Sequence, residues 1–111
     1  MYWGRVFTTF FIIMALSTNI GFIFDPSAFE LILATSFNLI ATTLKLGKRG
    51  ILSAEILATS FVADLHLLPA VYMFFAAGNI LAARGFAMGA AVANVISVLF
   101  IVVDLVKHED D

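Results

Sequence analysis

Between Ser53 and Pro69 the chain sets Glu55, Asp64 and His66 among leucines, alanines, a valine, a phenylalanine and an isoleucine. An ionisable side chain at membrane depth costs about 2.5–3.5 kcal/mol on insertion scales, so it faces a partner or water and usually has a use. Carboxylates and an imidazole in one stretch suit proton relay, because chains of such groups carry protons in pumps. Asp64 repeated around an oligomer axis would suit electrostatic selection of a small cation. A metal site has less in its favour, since His66 and Asp64 are only two residues apart and no recognised ligand motif surrounds them.

On a helix of 3.6 residues per turn, Glu55, Thr59, Val62 and His66 follow one stripe, while Ser53, Ser60 and Asp64 follow another, roughly opposite. A helix with polar groups on two faces cannot give both to lipid. One face must therefore meet a neighbour, a second subunit or water. The preceding segment carries Thr35, Ser36, Asn38, Thr42 and Thr43, and its Thr35, Ser36 and Asn38 cluster is the obvious neutral partner. Such groups also serve simple adhesion between helices, at about 0.6–2 kcal/mol each. In the bland reading Asp64 and His66 lie at the far membrane interface and Glu55 at the near one.

The elements that hold these residues are membrane spans. Of the 111 residues, 62% are hydrophobic and 13% charged, and the mean hydropathy is +1.06. A soluble domain of this size could not hide so much apolar surface. A single transmembrane helical domain, 1–111, follows. Cysteine is absent, which excludes disulfides and thiolate chemistry. Six cations against eight acids exclude nucleic-acid binding. No phosphate-cradling loop, nucleophile elbow or paired-histidine motif is present, so no enzyme activity and no cofactor are expected.

Val6 to Phe24 forms a first run, with Tyr2, Trp3 and Arg5 at the headgroup level. It imitates a signal peptide, with Ala15-Leu16-Ser17 as the cleavage-like end, but is read as a retained span. Asp25 with Pro26, or Ser27 with Glu30, starts a second helix that ends near Lys45, before Gly47-Lys48-Arg49-Gly50. From Ile51 to Ala83 the chain is too long for one ordinary span, and Pro69 interrupts it. Either one tilted, kinked helix carries Asp64 and His66 to mid-membrane, or the chain re-enters through a turn at 64–69. The last run, Gly85 to Val106, opens with Gly85, Gly89 and Ala93, a small-residue face open to intramolecular packing or self-association.

Lysines and arginines set the orientation. With four spans Arg5, Lys45, Lys48, Arg49 and Lys107 share one side against Arg84; with five crossings Arg84 joins them and Lys107 is the exception. Either way the N-terminus and the Lys48-Arg49 turn face the cytoplasm. Leu33-Ala34-Thr35-Ser36-Phe37 recurs as Leu57-Ala58-Thr59-Ser60-Phe61, in adjacent spans of opposite direction, as inverted repeats do in transporters.

Phe29-Glu30-Leu31-Ile32-Leu33-Ala34-Thr35, Leu44-Lys45-Leu46-Gly47, Ser53 to Ser60 and Ala63 to Ala70 resemble a family of small bacterial inner-membrane proteins with no assigned activity. The resemblance implies a multi-span protein and brings no functional residues. Glu30 with Asn38, and Glu55 in the next span, also resemble the small glutamate-bearing subunit of respiratory complex I and related antiporters, where buried glutamates transfer protons. Glu30 stands beside Pro26 at a helix start, not in mid-span, and that role is not carried over.

The sequence thus predicts an all-α membrane bundle of about four spans, the third broken or re-entrant around Pro69, in the bacterial inner membrane among its lipids. As a homo-oligomer it would move a small cation or proton past Glu55, Asp64, His66, Thr59, Ser60, Thr35, Ser36 and Asn38. The alternative is an accessory subunit that stabilises a larger transporter, its polar groups dry and hydrogen-bonded.

Overall fold

Four apolar runs become four helices: α1 over Trp3–Phe24, α2 over Ala28–Leu46, α3 over Ala54–Val71, continued by a π-helical turn over Tyr72–Ala76, and α4 over Ile80–Lys107. The computed structural model describes residues 3–46 and 54–107. Tyr2, the Gly47-Lys48-Arg49-Gly50 turn, Ser53 and the acidic end from His108 lie outside them, as do the side chains of Arg5 and Lys107. Val6–Phe24, Ala28–Leu46, Ala54–Ala76 and Ile80–Asp104 are each long and apolar enough to cross a membrane. The protein is an all-α bundle of four such helices, packed in the order α1, α2, α3, α4 with α4 back against α1.

Local chemistry sets the ends. Of the two starts open to α2, the one at Ser27 forms: its Oγ accepts the Glu30 N–H at 3.2 Å, satisfying a first-turn donor that has no partner within the helix. Asn79 caps α4 in the same way, its Oδ1 accepting the Ala82 N–H at 3.0 Å. Just before it Gly78 takes φ +64°, a left-handed conformation that closes a helix at little steric cost only for glycine.

The turn expected at 64–69 does not form. Asp64 to Pro69 is helical throughout, and the chain reverses at 77–79. Pro69 has no N–H, so the Leu65 carbonyl loses its usual partner. The irregularity is relieved one turn on, where the ladder widens and Ala77 N–H reaches the Tyr72 carbonyl at 3.1 Å, a π-type bond.

The buried positions recur in steps of three and four. They include Thr8, Ile12, Ala15, Asn19 and Phe22 on α1; Leu31, Ala34, Asn38, Thr42 and Lys45 on α2; Ile56, Ser60, Ala63, Leu67 and Ala70 on α3; and Ala83, Ala87, Ala90, Asn94, Ser97 and Ile101 on α4, with Ala41 and Ala93 buried beside them. This is the heptad pattern of helices packed at a shallow angle, and it is rich in alanine and small polar residues, which let backbones approach in lipid. Of the predicted small-residue face of α4, Ala93 is buried and Gly89 lies against His66 of α3. Ala83, Ala87 and Ala90 face inward, whereas Gly85 has open space beside it. The pentapeptide repeat is not matched in packing: Ala34 is buried but Ala58 exposed, and Ser36 is exposed but Ser60 buried.

Candidate functional site

Two apolar groups fill the bundle. Phe22, Leu31, Leu67 and the alanines of the α3–α4 seam occupy the half near the α1–α2 turn, and Ile12, Ala41, Ile56 and Ile101 the other. A polar cluster stands between them. On α2, Asn38, Thr42 and Lys45 share a face by steps of four and three; on α3, Ser60 and Asp64 do so by a step of four. Antiparallel packing brings the two rows together.

The Asp64 carboxylate accepts from both donors opposite it, Asn38 Nδ2 on Oδ1 and Thr42 Oγ1 on Oδ2 at 2.7 Å. Thr42 is fixed by the backbone too, since it also lies 3.0 Å from the Asn38 carbonyl. Lys45 is 1% exposed although it precedes the last residue of α2. Its stem runs back into the bundle, and its ammonium donates to Ser60 Oγ, to Ser97 Oγ at 2.8 Å and towards the Ile56 carbonyl at 3.4 Å. Because α2 and α4 stand diagonally, the bond to Ser97 crosses the bundle, and the charge sits near its axis. Three donors meet three oxygens, as an ammonium requires.

Of the residues singled out in the sequence, Asn38, Ser60 and Asp64 are therefore brought together. Glu55 is exposed in the first turn of α3, and Ser36 is exposed on α2. Thr59 bonds back to the Ile56 carbonyl at 2.9 Å, and Thr35 points a buried, unpartnered Oγ1 inward. His66 lies on the other side of α3 from Asp64, with Nδ1 2.8 Å from the Val62 carbonyl and its ring on Gly89. Asp64 faces α2 of the same chain, which donates one hydrogen bond to each of its carboxylate oxygens. Among the described residues no three His, Asp or Glu side chains form a metal-sized group.

Lys45, Thr42 and Ser97 are the members the sequence reading left out of the site. Lys45 looks like a flanking charge because it lies at the end of a span. Its phase gave it away: it follows Asn38 by seven residues, two turns on the same face.

Gly89 shows how closely His66 is fitted. A Cβ there would stand 2.3 Å from His66 Cδ2. Alanine is worth about 0.8–1 kcal/mol over glycine in a helix interior, so G89A is expected to stabilise by that amount in a His66→Ala background. In the native background displacement of the ring offsets the gain. A double-mutant cycle by SDS-induced unfolding checks this, and equal effects in both backgrounds would rule the contact out.

The other end of the bundle carries two charged groups. Arg84 Nε donates to the Ile23 carbonyl at 2.8 Å, where a cation complements the C-terminal end of α1. The Glu30 carboxylate lies against Gly21, so closely that a Cβ there would meet Oε2 at 2.3 Å.

A family model described as a family of unknown function (DUF6394) matches residues 25–105. The match takes in every residue of the cluster and leaves α1 outside. No curated protein matches the chain, and no solved structure does.

Proposed function

This chain belongs to a family of unknown function, DUF6394, and we propose that it moves protons across the membrane through the interior of its own bundle, with Lys45 and Asp64 as the exchanging pair. The observation that carries this reading is a buried ammonium and a carboxylate held in adjacent hydrogen-bonded sets, the carboxylate near the middle of the third span and the ammonium about one turn nearer the α2–α3 end. Charged groups at that depth are rare and serve ion and proton pathways by default. Transfer of one proton from the ammonium to the carboxylate gives an amine and a carboxylic acid, two uncharged groups in place of an ion pair. A metal cation is the poorer cargo, because the Lys45 ammonium already fills the oxygen cage of Ser60, Ser97 and Ile56. Compared with the path expected from the sequence, the route loses Glu55, His66, Thr59 and Ser36 and gains Lys45, Thr42 and Ser97. The lysine and arginine distribution favours a cytoplasmic α2–α3 turn, and the family resemblance favours a bacterial inner membrane.

The complete pairing of Asp64 and Lys45 supports a second reading, an accessory subunit whose dry polar cluster only locks its helices. Proton flux into liposomes holding the purified protein separates the two. Native protein is expected to dissipate an imposed pH gradient, and Asp64→Asn to reduce the rate at least tenfold while remaining folded. No flux from folded native protein would end the transport reading in favour of the accessory one.

A further inference from the structure

Asn19 is 0% exposed, and neither its Oδ1 nor its Nδ2 has a hydrogen-bond partner. Thr35 Oγ1 is likewise buried and unpaired. Buried amides are almost always satisfied, and in lipid the surroundings offer nothing in exchange. A neighbouring subunit cannot supply the partner, because the group is covered by its own chain. The remaining small partner with both donors and acceptors is water, which buried polar groups of folded proteins commonly hold.

Two contacts fix where this lies. Gly21 meets Glu30 near the α1–α2 turn, and Phe11 stacks on Phe37 deeper in the bundle, with ring centroids 5.9 Å apart. Asn19 and Thr35 both fall between these levels on antiparallel helices. Thr35 precedes Asn38 by three residues, about 4.5 Å along α2, and Thr35, Asn38, Thr42 and Lys45 form one row. On the outer side Glu30 and Arg84 follow within about two turns. Polar groups thus recur from Lys45 to the α1–α2 end, and among the described residues the buried side-chain atoms without partners belong to Asn19, Thr35 and, on α4, the Nδ2 of Asn94.

We propose that the bundle holds internal water at Asn19 and Thr35, a hydration site between the Lys45–Asp64 cluster and the membrane face carrying Glu30 and Arg84. The site stands on the buried amide alone. Its use as the outer half of a proton path rests on the transport reading above.

Water-edited solid-state NMR of the protein in lipid, with labelled asparagine side chains, tests it. Asn19→Leu assigns the signal by removing it. The Asn19 amide is expected to receive magnetisation from water at short mixing times, and Thr35→Val to cut that transfer severalfold; it also serves for assignment should Asn19→Leu fail to fold. An Asn19 amide that receives none, in the folded native protein, overturns the site. Hydrated Asn19 in a protein that passes no protons would end the transport reading and leave the hydration site standing.

Discussion

Lys45→Met is expected to cost the bundle about 3–5 kcal/mol, the range for removing one partner of a buried charge pair. The loss does not come from the lysine's own contacts. Methionine follows the stem with little change of volume, and Ser60 and Ser97 can turn their hydroxyls to backbone carbonyls of their own helices, as Thr8, Thr18 and Thr43 do here. What remains is Asp64, with two neutral donors and no positive charge to balance it in a low dielectric. Asp64→Asn alone is expected to be costly for the mirror-image reason, leaving the ammonium uncompensated. The double variant Lys45→Met/Asp64→Asn should then be more stable than either single one predicts, by more than 1 kcal/mol in a double-mutant cycle read from SDS-induced loss of helical circular dichroism. Strictly additive costs would mean that the two charges do not sense each other and that the cluster is two independent sites.

Ala90→Leu is the second large effect. Ala83, Ala87 and Ala90 of α4 face Ala63, Leu67 and Ala70 of α3 in one buried cluster, and Ala90 is 0% exposed. Close approach of the two backbones depends on the methyl being all there is. Three further carbons must push the helices apart or leave their rotamer wells, at about 1–3 kcal/mol. The same unfolding titration checks this, with Val92→Leu as control: Val92 is 59% exposed to the surroundings, and its enlargement should change stability by less than about 0.5 kcal/mol. If both substitutions behave alike, the α3–α4 seam is not a close-packed one.

The spans were legible because each is long and predominantly apolar, and the α2 start because Ser27 and Glu30 carry a capping signature. The turn before α4 was missed by several residues. Pro69 is the louder signal, but a helix packed on two neighbours carries a proline, whereas Gly78-Asn79 supplies both the left-handed residue and the next cap. The site was half legible. Two polar stripes were visible on α3, and hydropathy could not say which faces inward, because in lipid both sides of a helix are apolar. The size of the neighbours could have said so. Ser60 shares its phase with Ala63 and Ala70, while Val62 and Phe61 fall outside it, and small residues mark the inner face when the outer one meets lipid. Glu55 belonged to a helix's first turn, where a carboxylate complements the dipole and needs no other reason to be present.

The alanine seam of α3 and α4 also has a weakness that the lysine remedies. Small residues repeating every seven positions look much the same after a slip of one heptad, so alanine packing alone defines the distance between helices better than their alignment. Lys45 bonded to Ser60 and Ser97 exists in one alignment only. A shift of α4 by two turns would take Ser97 about 10 Å away and, in one of the two directions, put Ala90 where its hydroxyl had been. A single buried polar contact can choose among otherwise equivalent registers, and here it chooses for three helices at once. Whatever passes through the bundle, the ammonium at its axis is also the pin by which the chain counts its own residues.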